Sequence, residues 1–261
     1  MTQDRREWDE SSSESYKRLA SVIVPQRAEQ MASLLTLLPF KSDEAFRVVE
    51  LASGEGYLAQ ALLTAFPKAT LLALDLSEEM RAIAQQRLAP FGDRAQVAAF
   101  DMAAHDWYGQ LDKSDAVLSS LCIHHLDAGG KQALFAAVGE RLSRRGAFLI
   151  ADIVEPARPQ ARELFAAVWD RIVEAQAGGS GLYEEFQRSQ WNYYRYPDAM
   201  DRPSSLFDQL TWLSKAGFEG VDCFRLNGGH AVFGGYKSPD SAEGGISYEQ
   251  ALQIATDVLH D

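Results

Sequence analysis

The stretch Val48-Val49-Glu50-Leu51-Ala52-Ser53-Gly54-Glu55-Gly56-Tyr57-Leu58-Ala59 decides the fold. Its apolar head, Val48, Val49 and Leu51, predicts a short buried strand. Two glycines then permit a tight turn, and apolar residues from Tyr57 to Phe66 recur at helical spacing. A strand, a glycine turn and a helix N-terminus make a cradle in which backbone N–H groups face a ligand. The pattern Gly54-x-Gly56-x-x-Ala59 also satisfies the dinucleotide fingerprint, so the neighbouring residues must choose between ligands.

Three acids make that choice. Glu50 ends the strand beside the turn, where it would repel a pyrophosphate and attract an ammonium group; S-adenosylmethionine carries one on its methionine end. Asp75 closes the next strand, Thr70-Leu71-Leu72-Ala73-Leu74, about 20 residues past the glycines, where a ribose-binding acid belongs. Asp101 follows Val97-Ala98-Ala99-Phe100, placed to accept the adenine amino hydrogen. Acids at three successive strand ends suit a cationic, phosphate-free adenosine ligand.

With these residues in view, the chain resembles the class I S-adenosylmethionine-dependent methyltransferases. The resemblance rests on Glu50 to Gly56, Leu74-Asp75-Leu76-Ser77-Glu78-Glu79-Met80, Phe100-Asp101-Met102 and Asp115 to Leu126, and it spans roughly residues 44 to 237. The resemblance is to the small-molecule type, with a methyltransferase domain similar to ubiquinone-biosynthesis-type and carboxymethoxyuridine-type relatives. One departure stands out: Ala52 occupies the place of the family's usual first loop glycine, which implies a slightly shifted loop. The resemblance implies S-adenosyl-L-methionine as cofactor. It also implies that N-terminal helices lie over the cofactor, with Tyr16 and Arg27 as candidates to reach it, and that the Ser119-Ser120-Leu121 backbone lines the methyl-bearing end. Met80 and Met102 are candidates to flank the adenine, core filling being the other reading, and Leu76 follows the ribose acid.

Strand and helix alternate beyond this point. Strands are expected at 116–119 and 147–151 and helices at about 78–88 and 130–142, which predicts a parallel sheet with helices on both faces. Ligands in such sheets bind outside the carboxyl ends of the strands. Residues 154 to about 205 interrupt the rhythm with a helix over about 160–175, the joint Gly178-Gly179-Ser180-Gly181 and an aromatic run to Pro197, read as a helical cap insertion. Strands 221–226 and 230–234 joined by Asn227-Gly228-Gly229 make a C-terminal antiparallel hairpin. The expectation is therefore an α/β, Rossmann-like seven-stranded sheet, mostly parallel, with N-terminal helices over 1–43, the methyltransferase domain over 44–237, and a linker and helix over 238–261. In that last helix Ser247 and Gln250 form a capping-box pattern, and Ala251, Ile254, Ala255 and Leu259 make one apolar stripe. The stripe must dock on its own domain or on a second subunit, so a homodimer is one expectation.

Composition narrows the partners. The 261 residues carry a formal charge of −12 and no basic run with interleaved aromatics, so nucleic acid is not expected. No apolar stretch approaches the roughly 20 residues of a membrane span, and residues 1–7 lack the apolar core of a signal peptide. Cys122 and Cys223 show no metal-type spacing and read as reduced thiols of a cytoplasmic protein.

The catalytic candidates are His124, His125 and Asp152. Either histidine past the strand end is a candidate to take a proton from the nucleophile near neutral pH; a structural hydrogen bond is the alternative. Adjacent histidines in a turn ordinarily point apart, so no metal is expected. Asp152 is a candidate substrate contact or helix cap. Trp191, Tyr194, Arg195 and Tyr196 are candidates for a substrate wall, with Arg195 alternatively reaching the cofactor carboxylate, a role the carboxymethoxyuridine-type resemblance suggests. The functional expectation is methyl transfer to an O, N or C centre of a small, apolar or aromatic metabolite. Three alternatives stand beside it: a tRNA wobble-uridine modifier of the carboxymethoxyuridine type, a nicotinamide-dependent oxidoreductase and a non-catalytic cofactor-binding protein.

Overall fold

A computed structural model describes residues 19–238 and 245–260. The strands are β1 (Arg47–Leu51), β2 (Thr70–Asp75), β3 (Ala95–Ala99), β4 (Ala116–Ser120), β5 (Ala147–Ile153), β6 (Glu219–Asn227) and β7 (His230–Tyr236). They form one sheet in the order β3-β2-β1-β4-β5-β7-β6, parallel except for β7, which runs antiparallel to both neighbours. The order reverses between β1 and β4, so the crevice at their carboxyl ends is where this topology places a ligand.

Period-two alternation explains the layers. Val48, Leu71, Ala73 and Leu118 face one apolar cluster, while Val49, Leu51, Leu74 and Val117 face the other. The first layer is covered by α1 (Arg27–Thr36), α2 (Tyr57–Ala65) and α8 (Tyr248–His260), the second by α4 (Ala128–Arg141) and α7 (Leu206–Lys215). Every residue of β5 is buried, as expected of a strand covered on both faces. Glu50, two residues from Val48, therefore points to the side that α1 and α2 cover.

Several boundaries differ from expectation for identifiable reasons. The Asp127 side chain accepts from Gly130 N–H at 2.8 Å, so α4 starts at Ala128 rather than near Gly130. Pairing of Ile153 with His230 carries β5 past Ala151, so Asp152 lies within the strand and does not end it. At the hairpin, Gly228 and Gly229 have φ of 56° and 82°, the two positive values that a tight two-residue turn needs.

The capping box is present: Ser247 Oγ accepts from Gln250 N–H at 3.2 Å and Gln250 Oε1 accepts from Ser247 N–H at 3.3 Å. Ala251, Ala255 and Val258 of α8 bury against α1 and α2. The stripe thus docks on its own chain, which removes the stripe as a reason to invoke a second subunit. The cap comprises α5 (Pro159–Ala177), α6 (Leu182–Arg188) and the aromatic run that follows. It shares a third apolar cluster with Leu19, Val22, Ile23 and Val24. Gln176 ties the two together: its amide donates to Val22 O at 2.6 Å and its oxygen accepts from Gln26 N–H at 2.8 Å.

Candidate active site

The turn after β1 is built from three left-handed residues, Ala52, Gly54 and Gly56, with φ of 53°, 54° and 82°. Each has its own cause. Ala52 adopts the conformation that glycine would take freely, at a cost of roughly 1 kcal/mol. Gly56 presses against α3 (Glu78–Leu88), since a Cβ there would lie 3.3 Å from Ala84 Cβ. A Cβ on Gly54 would meet nothing within 4 Å: this glycine faces open space. Asp75 fixes the turn, its two carboxylate oxygens accepting from Gly54 N–H at 2.8 Å and Ser77 N–H at 2.9 Å.

Glu50 is the electrostatic oddity. Its side chain is 2% exposed and Oε2 has no hydrogen-bond partner. Burial pushes its pKa up to about 8; the nearby Asp75 carboxylate adds to the rise and the Arg27 guanidinium opposes it. Arg27, the first residue of α1, also lies 4.8 Å from the Tyr57 ring centre. Two more buried oxygens lack partners here, Ser53 Oγ in the turn and Ser119 Oγ on neighbouring β4. An unpartnered buried polar group costs about 1–3 kcal/mol, so such atoms at the end of β1, in its glycine turn and on neighbouring β4 fit a polar ligand carrying a cationic end. Ser53 gave no signal in the sequence beyond its place in the turn.

The adenosine candidates line up along the next strand ends. Leu76 is 51% exposed, directly after Asp75, and Met80 is buried in the first turn of α3 under the Ser77 cap. Asp101 lies two residues past β3 and is exposed, its Oδ1 accepting from Ala103 N–H at 2.8 Å. Met102 is half-buried, its sulfur 3.5 Å from Cys122 Sγ. Ser120 ends β4 and Leu121 takes a φ of 53°, which turns the chain toward the histidines. Tyr16 lies outside the described residues.

A three-residue 3-10 turn, Ile123–His125, follows. Asp152 holds His124 twice: Oδ2 accepts from the backbone N–H at 2.9 Å, and Oδ1 lies 2.5 Å from ring Nδ1. Asp152 thus serves His124, a role neither the substrate-contact nor the helix-cap reading foresaw. The rings of His124 and His125 do not point apart. Their centres are 4.1 Å apart, and His124 Nε2 and His125 Nδ1 approach the same oxygen, Asp201 Oδ1, at 3.4 and 3.2 Å. The expectation of divergent rings fails because one carboxylate from a distant loop draws both inward.

Burial would depress the His124 pKa, but the Asp152 and Asp201 carboxylates outweigh it and push it up to about 10. For Asp201 burial acts upward, and the two histidines more than reverse it, holding the carboxyl well below the usual range. The loop is strapped in place: Arg202 N–H donates to His124 O at 2.7 Å, and Lys131 Nζ donates to Leu126 O and Arg202 O. Asp201 has no motif around it and is 76 residues from His125, so nothing in the sequence could flag it.

The aromatic run divides. Tyr194 is 3% exposed, and its hydroxyl lies 2.9 Å from the carbonyls of Val154 and Gly229. A side chain so enclosed braces the hairpin and presents no wall to a substrate, contrary to expectation. Trp191 is half-buried against the third apolar cluster. Arg195 Nε donates to Asp170 at 2.5 Å, so its charge is spent within the cap and not on a cofactor carboxylate. Arg195 and Tyr196 line a cavity of about 580 Å3 with Asp170, Tyr183 and Asn192.

Comparison with known proteins bears on the family and the fold. The family profile described as "Methyltransferase domain" matches residues 48–146. Ribosomal RNA small subunit methyltransferase H of Streptomyces avermitilis is 46% identical over 59 residues, 23% of this chain and 19% of that protein. Malonyl-[acyl-carrier protein] O-methyltransferase of Bacillus cereus is 39% identical over 75 residues, 28% of this chain and 26% of its own length. The chain therefore matches only about a fifth to a quarter of these relatives' lengths. Among solved structures, an O-methyltransferase family 2 protein from Planctomyces limnophilus, in complex with apigenin, superposes with a TM-score of 0.60. It is 20% identical, over 90% of this chain and 63% of that one. Residues 48–146 thus match a methyltransferase domain, and the chain has the fold of the class I S-adenosylmethionine-dependent methyltransferases.

Proposed function

We propose that the chain transfers a methyl group from S-adenosyl-L-methionine to an O, N or C centre of a small, apolar or aromatic metabolite, with oxygen the first atom to test. The observation that carries this reading is Glu50, buried with an unpartnered Oε2 near the end of β1, in the strand that leads into the glycine turn. Glu50 would hold the methionine ammonium, Asp75 the ribose and Asp101 the adenine amino group, with Arg27, Leu76, Met80 and Met102 around them. Ser119, Ser120 and Leu121 would border the methyl-bearing end. When bound, the cofactor supplies a methyl group on a sulfonium leaving group. The chain's own work is then alignment, water exclusion and custody of a proton, with alignment the largest contribution. His124, oriented by Asp152, is the candidate proton holder; it can accept a proton only when the Asp152 and Asp201 carboxylates no longer keep the ring charged. The O-methyltransferases among the compared proteins support oxygen as acceptor, and one of them has the aromatic compound apigenin bound.

The ribosomal RNA enzyme among the relatives favours a second reading, an RNA acceptor. The charge of −12 opposes it, and steeply salt-dependent binding of RNA would reverse the preference.

Calorimetric titration with S-adenosylmethionine and S-adenosylhomocysteine tests the cofactor. Binding should weaken about tenfold or more in Glu50→Gln and in Asp75→Ala, the loss expected of a charge-assisted contact. Absence of binding to both ligands, with NADH bound instead, would send the search to hydride chemistry.

A further inference from the structure

We propose that His124, His125 and Asp201 bind one divalent transition-metal ion of the zinc class. Donor atoms of the three residues lie within 4.8 Å of one another. The two measured edges, His124 Nε2 to Asp201 Oδ1 at 3.4 Å and His125 Nδ1 to Asp201 Oδ1 at 3.2 Å, are long for charge-assisted hydrogen bonds, which run about 2.7–2.9 Å. They match the separation of about 3.4 Å between two ligands on a tetrahedral metal with bonds of about 2.1 Å. Neighbouring Asp152 provides the contrast, gripping His124 Nδ1 at 2.5 Å.

That grip is itself diagnostic. A metal-binding imidazole commonly donates its other N–H to a carboxylate, which fixes the tautomer and the ring orientation. With the Nδ1 proton directed to Asp152, displacement of the second ring proton by an arriving ion would leave the Nε2 lone pair on the side of Asp201. The Met200 carbonyl also lies 3.4 Å from His125 Nδ1. Two carboxylates, Asp152 and Asp201, flank the place of a divalent ion beside the two rings, while the Lys131 ammonium and the Arg202 backbone strap the loop that carries Asp201. Two nitrogens and one oxygen suit zinc, cobalt or iron better than magnesium, which prefers oxygen throughout. His125 and Asp201 side chains are about a quarter exposed, at 27% and 24%, so the ion keeps an open side. There it would take an oxygen donor and lower its pKa, the proton leaving to solvent; with the ion bound, His124 is a ligand and no longer the proton holder. This last role rests on the proposed methyl transfer; the metal site does not.

The test uses untagged protein, stripped with a chelator and titrated with Zn2+ and Co2+ while bound metal is counted and the visible spectrum recorded. One ion per chain is expected, with the strong visible bands of low-coordinate Co2+. Affinity should fall about tenfold or more in His125→Ala and Asp201→Asn, and by about 10–100-fold in Asp152→Asn, which acts through His124. Asp201→Asn nearly preserves shape, and melting curves report whether each variant folds; the wild-type Co2+ spectrum stands even where a variant does not. No ion on the wild type, or unchanged affinity in folded His125→Ala and Asp201→Asn, overturns the proposal. Metal binding without S-adenosylmethionine binding would instead overturn the methyltransferase reading alone.

Discussion

Glu50 shows how one residue sets stability against binding. Its pKa stands near 8 in the folded chain against 4.5 for an unperturbed side chain, so the folded state holds this proton more tightly than the unfolded one. The linked stability is fully present below pH 4.5 and is lost as pH rises through 8, a loss on the order of 5 kcal/mol. Glu50→Gln removes the charge at nearly constant shape. Without cofactor, the variant should therefore match the wild type near pH 4.5 and exceed it in melting temperature by pH 8.5. Parallel melting temperatures across that range would mean that Glu50 ionises without penalty. A cationic ligand supplies the missing partner, so saturating S-adenosylmethionine should erase the variant's advantage.

At the scale of elements, the β6–β7 hairpin and the cap are locked by one close approach. A Cβ on Gly229 would lie 2.1 Å from the Tyr194 hydroxyl oxygen, in a backbone with φ of 82°. Gly229→Ala combines conformational strain with a clash in a packed interior and should cost about 3 kcal/mol. Gly228→Ala has a comparable φ of 56°, but its nearest neighbour is the Val168 Cγ1 at 2.9 Å, so its cost should be visibly smaller. Urea unfolding of the pair measures the difference. Equal losses would show that the turn alone, and not the tyrosine, sets the price of the second glycine.

For the whole molecule, what was legible in the sequence follows a physical division. Hydrophobic period, glycine turns and capping residues act over a few positions, and they located all seven strands, the hairpin and the α8 capping box. The same local signals brought Glu50, Gly54, Gly56 and Asp75 to one turn. Contacts made across long loops left no local trace. Asp201, which draws two histidines together, and Tyr194, which turned out to be a brace, have the same appearance in sequence as any loop acid or aromatic residue. The docking of α8 belonged to this class too: the stripe was visible, but its partner was not. Among the described residues no helix is long and apolar enough to cross a membrane.

The seating of α8 on α1 also has a temporal consequence. During synthesis, β1 through β5 and their turns leave the ribosome well before residues 248–260. The helix that begins at Arg27 and covers the Glu50 side of the sheet is fastened from behind only when α8 arrives. A nascent chain can thus shape its glycine turn early, yet its ligand cradle gains a fixed roof only once residues 248–260 have been made and docked.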